Sequence, residues 1–231
     1  MTIPVLVTTC DKTIASLRPF AYLFTQFWGT EQPVMVAGET RPKWALPDNF
    51  QWWSYGKPWP SERWSNGLIK CLKDMPAEVF ILLLDDYWLC RWVDREGIAL
   101  LAEFMQDTPD ILRLDLTDDR QYAGDMTDVG YCGHFDLVST PGDSPYQLSL
   151  QAAIWRKSLL LSILVPNWSP WEVELSGSPS LHQREDCRVL GTRQRPVRYG
   201  NVSRQGQFQQ DEWLRIPREQ REYIEAQGWL P

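Results

Sequence analysis

No apolar run in the 231-residue chain approaches the roughly 18–20 residues needed to cross a bilayer, so a membrane-spanning helix is not expected. Neither GxGxxG nor GxxxxGK[ST] occurs. A Rossmann dinucleotide site and a phosphate-cradling P-loop are therefore not expected either. Cys10, Cys71, Cys90, Cys132 and Cys187 form no CxxC pair. Their odd number and scatter point to reduced thiols in a cytoplasm rather than to a disulfide frame or a zinc site. Histidine is scarce, with only His134 and His182. Internal repeats and low-complexity tracts are missing. The opening "MTIPVLVTTCDK" has no basic region ahead of its apolar stretch and reads as a first strand rather than a signal peptide. Net charge is −7, which disfavours a whole-surface nucleic-acid binder but leaves room for a local basic patch.

Against these absences stand thirteen tryptophans and 43% hydrophobic residues, enough for a sizeable core. Flat amphipathic rings suit stacking on sugars or bases as well as packing. Five of them fall within 42–64, at 44, 52, 53, 59 and 64. Strand alternation at Trp52–Trp53 predicts one buried ring and one exposed.

Strand-like runs at 4–10, 33–39, 50–56, 79–84 and 111–117 alternate with helical patterns at 14–28, 61–75 and 95–108. A polar loop follows, then a strand near 146–156 and a helix over 157–164. This alternation predicts an α/β fold with a mixed, mostly parallel central sheet flanked by helices. The expected organisation is one domain over 1–181 with an Arg/Gln-rich extension over 182–231 that packs on or closes over the site.

The stretch "VFILLLDDYWL" carries the most chemistry. An apolar run without polar alternation reads as a strand buried on both faces. It stops at Asp85–Asp86, where two like charges need water, a basic side chain or a metal ion. Ligands of such sheets bind beyond the strands' carboxyl ends. There the sequence offers "TTCDK" with Thr8, Thr9 and Asp11, "AGET" with Gly38, and "DDYW" with Asp85, Asp86 and Trp88. Gly38 would let a ligand approach the backbone. "SPWE" at 169–172 fits a capping box with proline at the first helical position, in which Glu172 reaches back to the Ser169 amide. The "RLDLTDDR" stretch reads equally as a self-paired charge cluster and as a sugar-contact loop. Arginines 184, 188, 193, 195, 198 and 204 concentrate positive charge in the tail. That excess fits a solvated surface, an arginine closing over a diphosphate, or a track for a polyanion such as DNA.

"IPVLVTTCDK", the glycine-containing second strand, "FILLLDDYWL" and "SPWEVEL" together resemble a small nucleotide-sugar glycosyltransferase of the GT-A fold, over roughly residues 3–177. "RLDLTDDR" and "PYQLSLQAAIWR" are similar to segments of uncharacterised glycosyltransferase-like proteins of phage and bacteria. The resemblance implies a UDP-like donor over the ends of the first two strands. It also implies Mn2+ or Mg2+ on Asp86 assisted by Asp85, where the family usually has D-x-D. A carboxylate at the helix start would act as base in an inverting transfer, with Glu172 the first candidate and Glu174 the second. Arg193, Arg195 and Arg198 would contact phosphate or acceptor. The acceptor would be a surface glycan, a small molecule or a hydroxymethylated pyrimidine in phage DNA. Two other classes stay open: a nucleotidyltransferase, and a sugar- or nucleic-acid-binding module without chemistry.

Overall fold

The structure is a computed structural model that describes residues 2–56, 59–182, 184–204 and 207–230. In chain order the elements are β1 (Val5–Thr8), α1 (Leu17–Phe27), β2 (Val34–Gly38), β3 (Phe50–Ser54), α2 (Trp64–Asp74), β4 (Val79–Leu84), β5 (Tyr87–Leu89), α3 (Arg95–Asp107), β6 (Ile111–Asp115), β7 (Thr127–Cys132) and β8 (Phe135–Ser139). They continue with β9 (Ala153–Arg156), α4 (Lys157–Leu161), α5 (Pro170–Leu181), β10 (Arg188–Thr192), β11 (Tyr199–Asn201), β12 (Ser203–Arg204), β13 (Gln207–Phe208), α6 (Gln210–Trp213) and α7 (Arg218–Ala226).

A nine-stranded sheet runs β3-β2-β1-β4-β9-β6-β10-β8-β7. β1 pairs in parallel with β2 and β4, β2 with β3, and β6 with β10. β9 runs against both β4 and β6, and β8 against both β10 and β7. The mostly parallel α/β sheet expected from the alternating pattern is thus present.

The all-apolar strands are buried on both faces. Val79, Ile81 and Leu83 of β4 enter one core cluster with Val5 and Val7, under α1, α3, α6 and α7. Phe80 and Leu82 enter the other with Leu6, under α2, α4 and α5. Each such side chain contributes about 1.5–3 kcal/mol of burial, so a charge placed at Leu82 would break the centre of the sheet. Trp52 and Trp53 depart from the one-in, one-out expectation. Both are half-buried, because edge strand β3 is covered on both faces and each ring packs on its own cluster.

The expected division at residue 181 does not match the topology. β10 sits between β6 and β8, β11 pairs with β5, and Leu190, Val202, Trp213 and Ile224 are core residues. The segment looked like a polar extension because its apolar residues are few and widely spaced. Residues 127–139, expected as a polar loop, form the β7–β8 hairpin. The Gly133–His134 turn closes it, with Gly133 at φ +57°. A two-residue Gly-X connection is the signal for that hairpin.

Candidate active site

The chain steps outward from β1 to β2 and β3, then returns to the other side of β1 to form β4. This reversal opens a crevice at the carboxyl ends of β1 and β4, the usual ligand position in open α/β sheets. A cavity of about 770 Å³ lies there. Its wall includes Thr8 at the end of β1, Thr9, Lys12 and Thr13 after it, Asp85, Asp86 and Tyr87 after β4, and Glu174 of α5. Asn201, Ser203 and Arg204 complete it from the segment expected to close over the site.

The parallel register that pairs Thr8 with Leu84 brings the next residues, Thr9 and Asp85, side by side. Thr9 Oγ1 donates to Asp85 Oδ2 at 2.6 Å, and Thr13 Oγ1 donates to the same oxygen at 2.7 Å. Burial pushes the Asp85 carboxyl well above the usual aspartate range, with Asp86 adding to the rise and the two hydroxyls opposing it. Burial also raises Asp86, opposed by backbone hydrogen bonding and the Arg204 guanidinium. Asp86 Oδ1 is buried without a hydrogen-bond partner. A strained carboxylate pair with one orphaned oxygen fits a hard divalent ion, which takes one or two carboxylates and fills its shell with phosphate oxygens and water. Among the described residues no group of three acidic, histidine or cysteine side chains is placed to hold a metal by itself. Any ion here would therefore complete its shell with water or with substrate oxygens.

The second carboxylate centre is built by α5. Ser169 caps the helix through the complete capping box with Glu172, and Pro170 occupies the first turn. α5 lies tightly on the 148–150 segment, since a Cβ at Gly177 would fall 2.4 Å from Leu148 Cδ2. Ser178 Oγ accepts from the Leu148 amide at 3.0 Å. This approach lets the Leu150 amide donate to Glu174 Oε1 at 2.7 Å. Burial raises the Glu174 carboxyl above the usual glutamate range, against the opposing Leu150 hydrogen bond and the Arg113 charge. Ser65 Oγ accepts from the Trp168 amide, and Asn66 exchanges hydrogen bonds with Asn167. These ties fix Trp64 of α2 and Trp171 of α5 in the cavity wall.

The structure brings Thr8, Thr9, Asp85, Asp86 and Glu174 together, and separates the other expected site residues from them. Glu172 lies outside the cavity wall. Its Oε2 accepts from the Ser169 amide and hydroxyl at 2.7 and 2.8 Å, which holds its carboxyl below the usual range. Trp88 is fully buried edge-on against Trp213, because the β5–β11 pairing turns it into the core. Gly38 makes room for packing rather than for ligand, as a Cβ there would lie 2.4 Å from the Trp52 ring and 2.7 Å from Thr9 Cγ2. Asp11 is exposed and ties two loops, accepting from the Thr40 amide and hydroxyl.

Arg193 and Arg195 are ion-paired with Asp128 and Asp118, and Arg198 is exposed away from the cavity wall. Arg184 and Arg188 pair with Asp186 and Asp110. Acids from distant parts of the chain thus offset Arg188, Arg193 and Arg195, whereas Arg184 pairs within the tail itself. The "RLDLTDDR" charges are self-paired in part: Arg113 meets Asp115 and Asp119, and Arg120 meets Asp115, while Asp118 turns outward to Arg195.

Lys12, Tyr55, Trp59, Trp64, Gln151 and Arg204 line the cavity without having been singled out as site residues. Lys12 closes the "TTCDK" motif, and Trp59 and Trp64 belong to the tryptophan-rich stretch, so position after a strand was their signal. Gln151 carries no local signal, whereas Arg204 belongs to the tail arginines for which closing over a diphosphate was one of the open readings.

No protein-family description and no curated protein matches the chain. Solved structures share its fold. The chain is similar to S. aureus TarS 1–349 at 15% identity and a TM-score of 0.51, covering 86% of this chain and 59% of that one. It is also similar to a UDP-glucose pyrophosphorylase complexed with UDP-glucose, at 9% identity and a TM-score of 0.51, covering 98% and 100%. The architecture is the GT-A-like, Rossmann-like sheet shared with these structures. No helix among the described residues is long and apolar enough to cross a membrane.

Proposed function

We propose that the chain is a glycosyltransferase that moves a sugar from a nucleotide-sugar donor to an acceptor hydroxyl. The observation that carries this reading is one cavity holding two differently built carboxylate centres. Asp85–Asp86 ends a buried strand with an orphaned oxygen, while Glu174 stands apart from it on α5, held by the Leu150 amide.

Asp86, with Asp85 beside it, would hold Mg2+ or Mn2+. When bound, such an ion neutralises charge on the departing diphosphate. Arg204 adds a fixed positive group on the same wall, and the Trp59 and Trp64 rings there are suited to stacking on a nucleoside. Glu174, its proton affinity raised by burial, accepts the proton of the acceptor hydroxyl as that oxygen attacks the anomeric carbon. Direct displacement inverts the anomeric centre. The similar pyrophosphorylase was solved with UDP-glucose, and a UDP-sugar is the donor assigned here by that analogy of fold.

Thermal shift with a panel of nucleotides and nucleotide sugars, with and without manganese, tests this directly, because a ligand selective for the folded state raises the melting point. Stabilisation by a nucleoside diphosphate sugar that depends on manganese is expected. A flat panel would remove the reading. A nucleotidyltransferase is the second reading, favoured by the end-to-end coverage of the pyrophosphorylase. The loop "VTTCDKT", which carries no glycine, argues against it. Products separate the two: glycosyl transfer releases a nucleoside diphosphate, whereas nucleotidyl transfer releases or consumes pyrophosphate.

A further inference from the structure

Trp171 has an indole that is 50% exposed at the second position of α5, yet it also forms part of the cavity wall. Glu174 follows three residues later, on the same side of the helix. Leu175, one turn beyond Trp171, is 59% exposed and extends the apolar surface outward from the rim. An aromatic face left open to solvent beside a half-enclosed carboxylate calls for an occupant with one flat apolar side and hydroxyls at its edge. A pyranose ring has that shape, with axial C–H groups on one face and hydroxyls around its rim.

Charge narrows the choice further. The cavity wall carries Glu39, Asp85, Asp86 and Glu174 against Lys12 and Arg204. With a divalent ion offsetting Asp85 and Asp86, Glu39 and Glu174 balance Lys12 and Arg204, so a bound diphosphate leaves the cavity net negative and opposed to a second anion. The tail arginines that would have drawn a polyanion are largely paired with Asp110, Asp118, Asp128 and Asp186.

We infer that Trp171 is the stacking platform for a neutral pyranoside acceptor, held so that one of its hydroxyls faces Glu174. This rests on the glycosyltransferase reading for the role of Glu174, whereas binding of a pyranoside at Trp171 can be measured without turnover.

The test is saturation-transfer NMR on the full chain with methyl β-D-glucopyranoside, methyl β-D-galactopyranoside and methyl N-acetyl-β-D-glucosaminide, using linear sorbitol as control. It is run with and without UDP and magnesium. Saturation concentrated on the axial C–H protons of at least one pyranoside, and absent for sorbitol, is expected. Trp171→Ala should weaken that binding about tenfold or more, with Trp171→Phe retaining most of it. The half-exposed position makes both variants tolerable to the fold, which circular dichroism melting checks. No saturation of any pyranoside, or equal saturation in Trp171→Ala, would overturn the inference. So would tight, Trp171-dependent binding of hydroxymethylcytosine-containing duplex DNA in a parallel gel shift. Failure of the donor reading appears separately, as a wild-type protein that no nucleotide stabilises, and pyranoside binding is then judged from the nucleotide-free arm.

Discussion

The amide of Leu150 donates to Glu174 Oε1 across 2.7 Å, joining the segment before β9 to the second turn of α5. That bond occupies one oxygen of the carboxylate. Glu172, two residues earlier, spends its carboxylate on Ser169 instead. Two glutamates of one helix are therefore assigned opposite tasks by their neighbours.

Glu174→Gln should lower turnover by about 100-fold or more, since it removes a proton acceptor but keeps an oxygen for the Leu150 amide. Glu172→Gln should leave turnover near wild type, because glutamine still completes the capping box. Steady-state kinetics on the two variants, with donor affinity from calorimetry, checks both. The raised Glu174 carboxyl sets the direction of the pH profile. Wild-type kcat/KM should rise with pH through a value above the usual glutamate range, and that limb should vanish in Glu174→Gln.

Asp85 and Asp86 both bind protons more tightly in the folded chain than in the unfolded one. Between the ordinary aspartate value near 4 and their raised values, the folded state holds more protons, so the metal-free protein should lose stability as pH rises. Asp86→Asn should flatten that fall and also abolish metal-dependent donor binding. Denaturant midpoints taken from about pH 5 to pH 8 read the first effect, and calorimetry with manganese reads the second. A slope identical to wild type would show that the pair is not the source.

Arg204 pairs loosely with Glu212 at 3.8 Å and lowers the proton affinity of Asp86. Arg204→Ala should weaken nucleoside diphosphate binding about 10- to 100-fold, the usual scale for losing a charge-assisted contact. Arg204→Lys should recover part of it. Titration calorimetry over a salt series measures the change.

Gly38→Ala would set a methyl group 2.4 Å from the Trp52 ring and 2.7 Å from Thr9 Cγ2. Overpacking of this kind costs about 1–3 kcal/mol, visible as a lower denaturant midpoint. Thr9 holds Asp85, so donor affinity should fall along with stability.

Local pattern carried the first half of the sheet. β4 was legible as an apolar run ending at two aspartates, and α3, expected over 95–108, spans Arg95–Asp107. β10 was not legible, because "RVLGT" is short and lies among charges that find their partners far away in sequence. Arg188 meets Asp110, and Arg193 meets Asp128. The same blindness affected the site. The strand-end residues Thr8, Thr9, Asp85 and Asp86 follow from local rules, whereas choosing Glu174 over Glu172 depended on where the Leu150 amide lies. Trp88 was misplaced for a related reason: its pairing partner, Gly200, lies over a hundred residues away.

The distribution of the cavity wall along the chain also bears on synthesis. Residues 8–13 leave the ribosome early, but Asn201, Ser203 and Arg204 complete the wall far later. β5, directly after Asp85–Asp86, finds its pairing partner only in β11. A nascent chain is therefore unable to assemble a finished site before residue 204 has emerged, and a translation product arrested upstream of β11 carries the acidic pair without the arginine that offsets it.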